Sequence, residues 1–177
     1  MTSNITFTLA NPVTHRDALL DLNLEYRAWV AAGIEQSFGL TSTALLGMEL
    51  ADYVVSVIDK VCGDPPPLGA FYLVHVNGAL AGMGGLRSLG QGMCEVKRIY
   101  VRPAFRGLHL GQAILQRVLD DAHAFGYQRV CLDSAPFMHS AQRMYAVAGF
   151  VDCKPHAGVE VPVVLHAGWR FMERAVE

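Results

Sequence analysis

Residues 95–115, EVKRIYVRPAFRGLHLGQAIL, decide how this chain is read. The segment begins inside a strand, MCEVKRIYV (93–101), whose mixed alternation suits a central position in a sheet. Arg102-Pro103 ends that strand, because proline has no N–H to give a ladder. A tight turn with Gly107 and Gly111 then delivers the chain into a helix over 109–125. Its apolar residues Leu110, Ala113, Ile114, Val118, Ala122 and Phe125 recur at helical spacing, and Gly126 is the expected stop. The first N–H groups of a helix have no carbonyl partners, and the helix dipole adds partial positive charge. A glycine turn leading into a helix is therefore an anion pocket of the phosphate-binding kind, to which Arg102 and Arg106 add full charges. The competing reading is a glycine loop that only turns the chain.

Two nucleotide motifs are set aside. Gly107 and Gly111 are four apart, so no GxGxxG is present, and Gln112 and Ala113 stand where a P-loop needs Lys and Ser or Thr.

Working outward, ITFTLA (5–10) reads as a first strand and Thr14 as a helix cap, with Asp17 three residues on. Leu19, Leu20, Leu22, Leu24, Tyr26 and Trp29 suit a helix, with Gly33 and Gly39 flanking a break. Residues 42–62 read as a second helix, and CGDPPPLG (62–69) as a rigid loop. AFYLVHV (70–76), Asn77-Gly78 and ALAGMGGLRSL (79–89) form a hairpin. RVCLDS (129–134) is a short buried strand, 138–148 a helix closed by Gly149, and 150–153 and 168–175 are two last strands. The order β-α-α-β-β-β-α-β-α-β-β predicts an α/β sheet with at least one parallel crossover. A length of 177 residues fits one domain.

Hydrophobic residues at 52% and charged residues at 17% exclude intrinsic disorder. With no run of about 18 uncharged apolar residues, no membrane span is expected. The start, MTSNITFTLANPVTHRD, lacks the pattern of a signal peptide, so a cytoplasmic location is expected. A net charge of −2 argues against a nucleic-acid partner. Between Glu95 and Asp120 stand five bases and no acid: Lys97, Arg98, Arg102, Arg106 and Arg117. Residues 1–64 carry eight acids against three bases. The basic stretch points to one anionic ligand. Cys62, Cys94, Cys131 and Cys153 form no CxxC pair, no histidine lies at metal-finger spacing, and no metal is expected.

EVKRIYVRPAFRGLHLGQAIL, GYQRVCLDS and AQRMYAVAGF, in this order over residues 70–153, resemble the acetyl-CoA-binding half of the GNAT N-acetyltransferase superfamily. The resemblance implies a mixed, mostly antiparallel central sheet flanked by helices, in one N-acetyltransferase domain over 1–177. Residues 1–69 would carry the acceptor-side helices, 70–153 the acetyl-CoA core and 154–177 a C-terminal strand region. In the family's loop pattern Arg106, His109 and Gly111 hold the three defined places, so a histidine stands where a glycine is usual. Pyrophosphate binding would fall to Arg106 and the amides of Gly107, Leu108, His109, Leu110, Gly111 and Gln112. Ile99, Tyr100 and Val101 would offer backbone groups to the pantetheine arm, as an added strand does, and Ser140 would help hold the cofactor.

The resemblance makes Tyr145 the proton donor to the departing thiolate; the other reading is a core tyrosine. It makes Glu95 the base that takes a proton from the acceptor amine; the other reading is an ion pair with Lys97 or Arg98. Period two places Glu95 on the same strand face as Ile99, and Cys94 on the opposite one. The implied reaction is direct attack of an amine of a small molecule or peptide on acetyl-CoA, with no acyl-enzyme. The acidic bias of residues 1–64 favours a cationic acceptor. Glu160, His156 and His166 either line an acceptor pocket or are solvated loop residues. An acyl-CoA-binding regulatory or sensor module without catalysis remains the alternative, with an adenine-nucleotide binder third. Sheet edges and the apolar surplus allow a homodimer.

Overall fold

The structure is a computed structural model and describes residues 4–177. Seven strands form one sheet: β1 (Ile5–Leu9), β2 (Ala70–Val76), β3 (Ala79–Gly90), β4 (Met93–Val101), β5 (Arg129–Ser134), β6 (Val151–Asp152) and β7 (Arg170–Ala175). They lie in the order β1-β2-β3-β4-β5-β7-β6. Every neighbouring pair is antiparallel except β4 and β5. That parallel step is crossed by α4 (Leu110–Ala124). The other helices are α1 (Arg16–Phe38), α2 (Ser42–Leu46), α3 (Leu50–Val57) and α5 (His139–Val147). The mostly antiparallel sheet flanked by helices is the architecture expected above.

Three local expectations differ. Helix α1 does not break at Gly33 but runs on to a left-handed cap at Gly39. Gly33 is small for a packing reason: a Cβ there would meet the ring of Phe137. Residues 42–62 are not one helix, because Gly47 ends α2 in the left-handed region and α3 restarts at Leu50. Thr14 does not cap α1; Asn11 Oδ1 instead accepts from the amides of Val13 and Thr14.

Each sheet face has its own core. Leu19 and Leu22 of α1 pack with Ile58 against Leu73, Met83 and Tyr100. Leu115, Val118 and Ala122 of α4 and Tyr145 of α5 pack against Cys94, Val96, Val130 and Leu132. The two faces exchange partners within β4. Gly85 pairs with Lys97, yet Met83 pairs with Tyr100, so two steps on β3 oppose three on β4. The extra residue is a bulge, with Arg98 at φ +49. It inverts the alternation beyond it, so Ile99 packs on the α4 side with Cys94 and Val96. Glu95, across from Arg87, lies on the α1 side. Glu95 and Ile99 therefore do not share a face, because unbroken period two fails across a bulge.

Candidate active site

Strands β4 and β5 pair only at Met93–Arg129, Cys94–Val130 and Glu95–Cys131, and then separate. Beyond that point residues 99–101 keep β3 on one side and face open space on the other. The opening is a groove of about 470 Å³ between this free strand edge, the start of α4 and α5. Gly107, at φ +85, turns the chain at its mouth. The amides of residues 107–112 find no acceptor among the described residues; the first helical bond of α4 runs from Ala113 to the His109 carbonyl. His109 takes the left-handed conformation itself, at φ +57, and its Nδ1 lies 2.9 Å from Gln112 Oε1. Such a run of free amides at a helix start is a site for an anion.

Ile99, Tyr100, Val101, Arg106, Gly107, His109, Leu110, Gly111, Gln112, Ser140 and Tyr145 all line this groove. Leu108 does not; its side chain is exposed. Of the basic stretch only Arg106 reaches the groove, with its Nε 3.3 Å from the Val101 carbonyl. Arg102 is held by Glu25 at 2.8 Å, Lys97 by Glu160 at 2.6 Å, and Arg117 by Tyr72 and Asp121. The run of bases is thus spread over both sheet faces and is not one anion site.

Tyr145 is 7% exposed, with its ring edge-on to Phe150. Burial first, then the neighbouring Tyr26 and Asp133, push its phenol above the ordinary tyrosine range. It stays neutral and able to donate. Glu95 is 2% exposed and lines neither this groove nor the second cleft. Its Oε2 accepts from Arg87 Nε at 2.6 Å, and Lys97 Nζ is 4.0 Å away. His156 Nδ1 accepts the Gly158 amide, which leaves the ring proton on Nε2, 3.2 Å from Glu95 Oε1. The ion pair of Glu95 is thus with Arg87, across the strand, and not with Arg98. Burial pushes the thiols of Cys94 and Cys131 up to about 12 and about 11, the opposite of an activated nucleophile.

A second cleft of about 380 Å³ lies on the α1 side of the sheet, where Tyr26, Arg27, Tyr53, Arg98, Asp133 and Trp169 contribute to its walls. Glu160 lines it, paired with Lys97 and Arg87, whereas His166 Nε2 is bonded to the Val161 carbonyl. The two spaces meet at aromatic side chains. Tyr26 of the cleft packs on Trp29 of the groove at 6.4 Å and on Tyr100 at 5.9 Å. Asp133 accepts from Trp169 Nε1 at 2.8 Å and acts electrostatically on both Tyr26 and Tyr145.

Residues 38–150 match the Acetyltransferase (GNAT) family. The chain belongs to that family. This GNAT acyltransferase is 27% identical to YjgM, an uncharacterized N-acetyltransferase of Escherichia coli, over 85% of the chain and 92% of that protein. It is 35% identical to an uncharacterized N-acetyltransferase of Schizosaccharomyces pombe, over 44% of the chain and 47% of that relative's length. PaiA N-acetyltransferase of Thermoplasma acidophilum, solved with coenzyme A, has the same fold: TM-score 0.69, 15% identity, 97% of this chain and 99% of that one.

Two residues that line the second cleft beside the groove were missed by sequence reasoning. Tyr26 was read only as one apolar position of a broad helix face. Asp133 was passed over inside the apolar run RVCLDS. An acid one residue from the end of a buried strand was the available signal, since carboxylates are rarely buried without a partner.

Proposed function

We propose that the chain transfers an acetyl group from acetyl-CoA to a primary amine of a small molecule, with both bound at once in the two clefts. The observation that carries this reading is the junction: a groove with six acceptor-less amides, lined by Tyr145, and a second cleft, lined by Asp133, which meet where Tyr26 packs on Trp29 and Tyr100. Residues 107–112 and Arg106 would hold the diphosphate, and the open edge at 99–101 the pantetheine arm. Their fit rests on the free amides and the unpaired strand edge. Bound acetyl-CoA supplies an acyl group already activated as a thioester.

The protein's own groups then have two tasks. Asp133 takes the proton that an ammonium must lose before it can act as a nucleophile. Tyr145, kept neutral by burial, would donate its phenolic proton to the departing thiolate on the groove side and regain one from the nitrogen as it becomes an amide. Glu95 is not given the base role: its carboxylate is engaged by Arg87 and lines neither cleft. It anchors Arg87, whose Nη1 and Nη2 hold Glu160 and the Gly158 carbonyl of the C-terminal segment. Alignment in the two-cleft site is the main source of rate, worth about 7–11 kcal/mol in well-oriented reactions.

The test is coenzyme A release against a panel of amines. Amine-dependent release is expected, and Asp133→Asn should lower it about 100-fold or more. Tight acetyl-CoA binding with no turnover on any amine would favour the sensor reading instead.

A further inference from the structure

We infer that the acceptor carries its own carboxylate: it is a free amino acid with an apolar side chain, its carboxylate held by Arg27 and Arg98 and its amine directed to Asp133. This deepens the acetyltransferase reading above and rests on it.

The observations concern unmatched charge in the second cleft. Arg27 and Arg98 both line it, and the Nε of each is buried with no acceptor among the described residues. Arg27 takes part in no ion pair there; its guanidinium lies over the rings of Tyr53 and Tyr26, at 5.5 and 5.9 Å. Ring faces steady a cation but do not satisfy its N–H groups. Among the described residues the Arg98 side chain donates only to the neutral Asn23 Oδ1, at 2.9 Å. The two guanidinium groups share the cleft, and Arg27 is, after burial, the main influence that disfavours the charge on Arg98. A buried donor without a partner is costly, and two like charges side by side add to that cost. One carboxylate between them relieves both, through the paired N–H geometry that suits guanidinium.

The acids lining the cleft do not fill this role. Glu160 is taken by Lys97 at 2.6 Å and Arg87 at 2.9 Å. Asp133 accepts from a neutral donor, Trp169 Nε1, and pairs with no cation among the described residues. Tyr26, Arg27, Arg98 and Asp133 line the same cleft, which therefore has a positive and a negative end. A ligand with an ammonium and a carboxylate matches both ends. The expected cationic acceptor loses its support here, because none of the lining residues drawn from 1–64 is acidic, while Arg27 and Lys60 are basic. Val30, Ile34, Val57 and Leu165 supply an apolar wall, and about 380 Å³ is the size of a small-molecule site.

Calorimetry with the reaction's own kind of product reads this without turnover. N-acetyl-L-phenylalanine and N-phenethylacetamide differ only in the carboxylate. Titrated into the coenzyme A-loaded protein, the first should bind about 10–100-fold more tightly, the worth of charged hydrogen bonds. Arg27→Gln and Arg98→Asn should each bring the ratio close to one. Asparagine tolerates the positive φ of the bulge, and Arg27 lies outside it, so a folding defect in one variant leaves the other to decide. Acetylation rates should follow the same order, phenylalanine above phenethylamine. Equal affinities, absent binding of the carboxylate product, or a ratio that both substitutions leave intact would overturn the inference. Acetyl-CoA is titrated into the same preparation. If it binds while the carboxylate makes no difference, only the acceptor class falls; if it does not bind, the acetyltransferase reading falls as well.

Discussion

His109 sits in the left-handed region that costs an L-residue about 1–2 kcal/mol. It keeps the turn into α4, so the amides around it stay free without a glycine. His109→Gly should therefore be more stable than His109→Ala by about 1 kcal/mol in chemical denaturation, because only glycine escapes the strain. Equal stabilities would mean that the φ of +57 costs nothing here. Tyr145→Phe should slow turnover about 100-fold or more with little change in acetyl-CoA affinity; unchanged turnover removes Tyr145 from the chemistry. Glu95→Gln should cost about 1.5–3 kcal/mol of stability, since Arg87 loses a charged partner. It should leave the alkaline rise of the rate in place, and a flattened profile would restore Glu95 as the base.

At the scale of elements, the bulge in β4 and the parting of β4 from β5 create both spaces from one sheet. Gly82 lies against this irregularity, and a Cβ there would run into the Tyr100 carbonyl oxygen. Backbone does not yield as a side chain does, so Gly82→Ala should lose about 1–3 kcal/mol and weaken acetyl-CoA binding with it. A denaturation midpoint equal to that of the parent protein would contradict this packing. The strands, the hairpin at Asn77-Gly78 and helix α4 were legible because period, turn residues and stop signals agree locally. The bulge was not: nothing in EVKRIYV marks Arg98 as the extra residue, and so Glu95 was placed on the wrong face. Gly33 was misread for a related reason, since a glycine that admits a distant ring looks the same in sequence as one that breaks a helix. The predicted groove residues were readable from two local segments, 99–112 and 140–145. The second cleft, assembled from α1, β4, β5 and the C-terminal segment, has no local signature.

For the whole molecule, charge and burial set the response to pH. Cys94 and Cys131 are 0% and 1% exposed, and burial holds their thiols at about 12 and about 11, against an ordinary value of 9.0. The folded state keeps both protons where the unfolded chain releases them. Stability is then whole below pH 9.0 and falls as pH rises toward the folded values, by up to about 1.4 kcal/mol per pH unit for each thiol. Urea midpoints should drop between neutral and strongly alkaline buffer, and Cys94→Ala should soften the drop. A flat profile would mean that these thiols ionise in place. Every role proposed above depends on coenzyme A entering the groove at residues 99–112. Isothermal calorimetry with acetyl-CoA tests it most directly. The expected result is saturable one-to-one binding with a dissociation constant below about 1 mM, weakened by Arg106→Ala. No heat of binding at millimolar acetyl-CoA would contradict it.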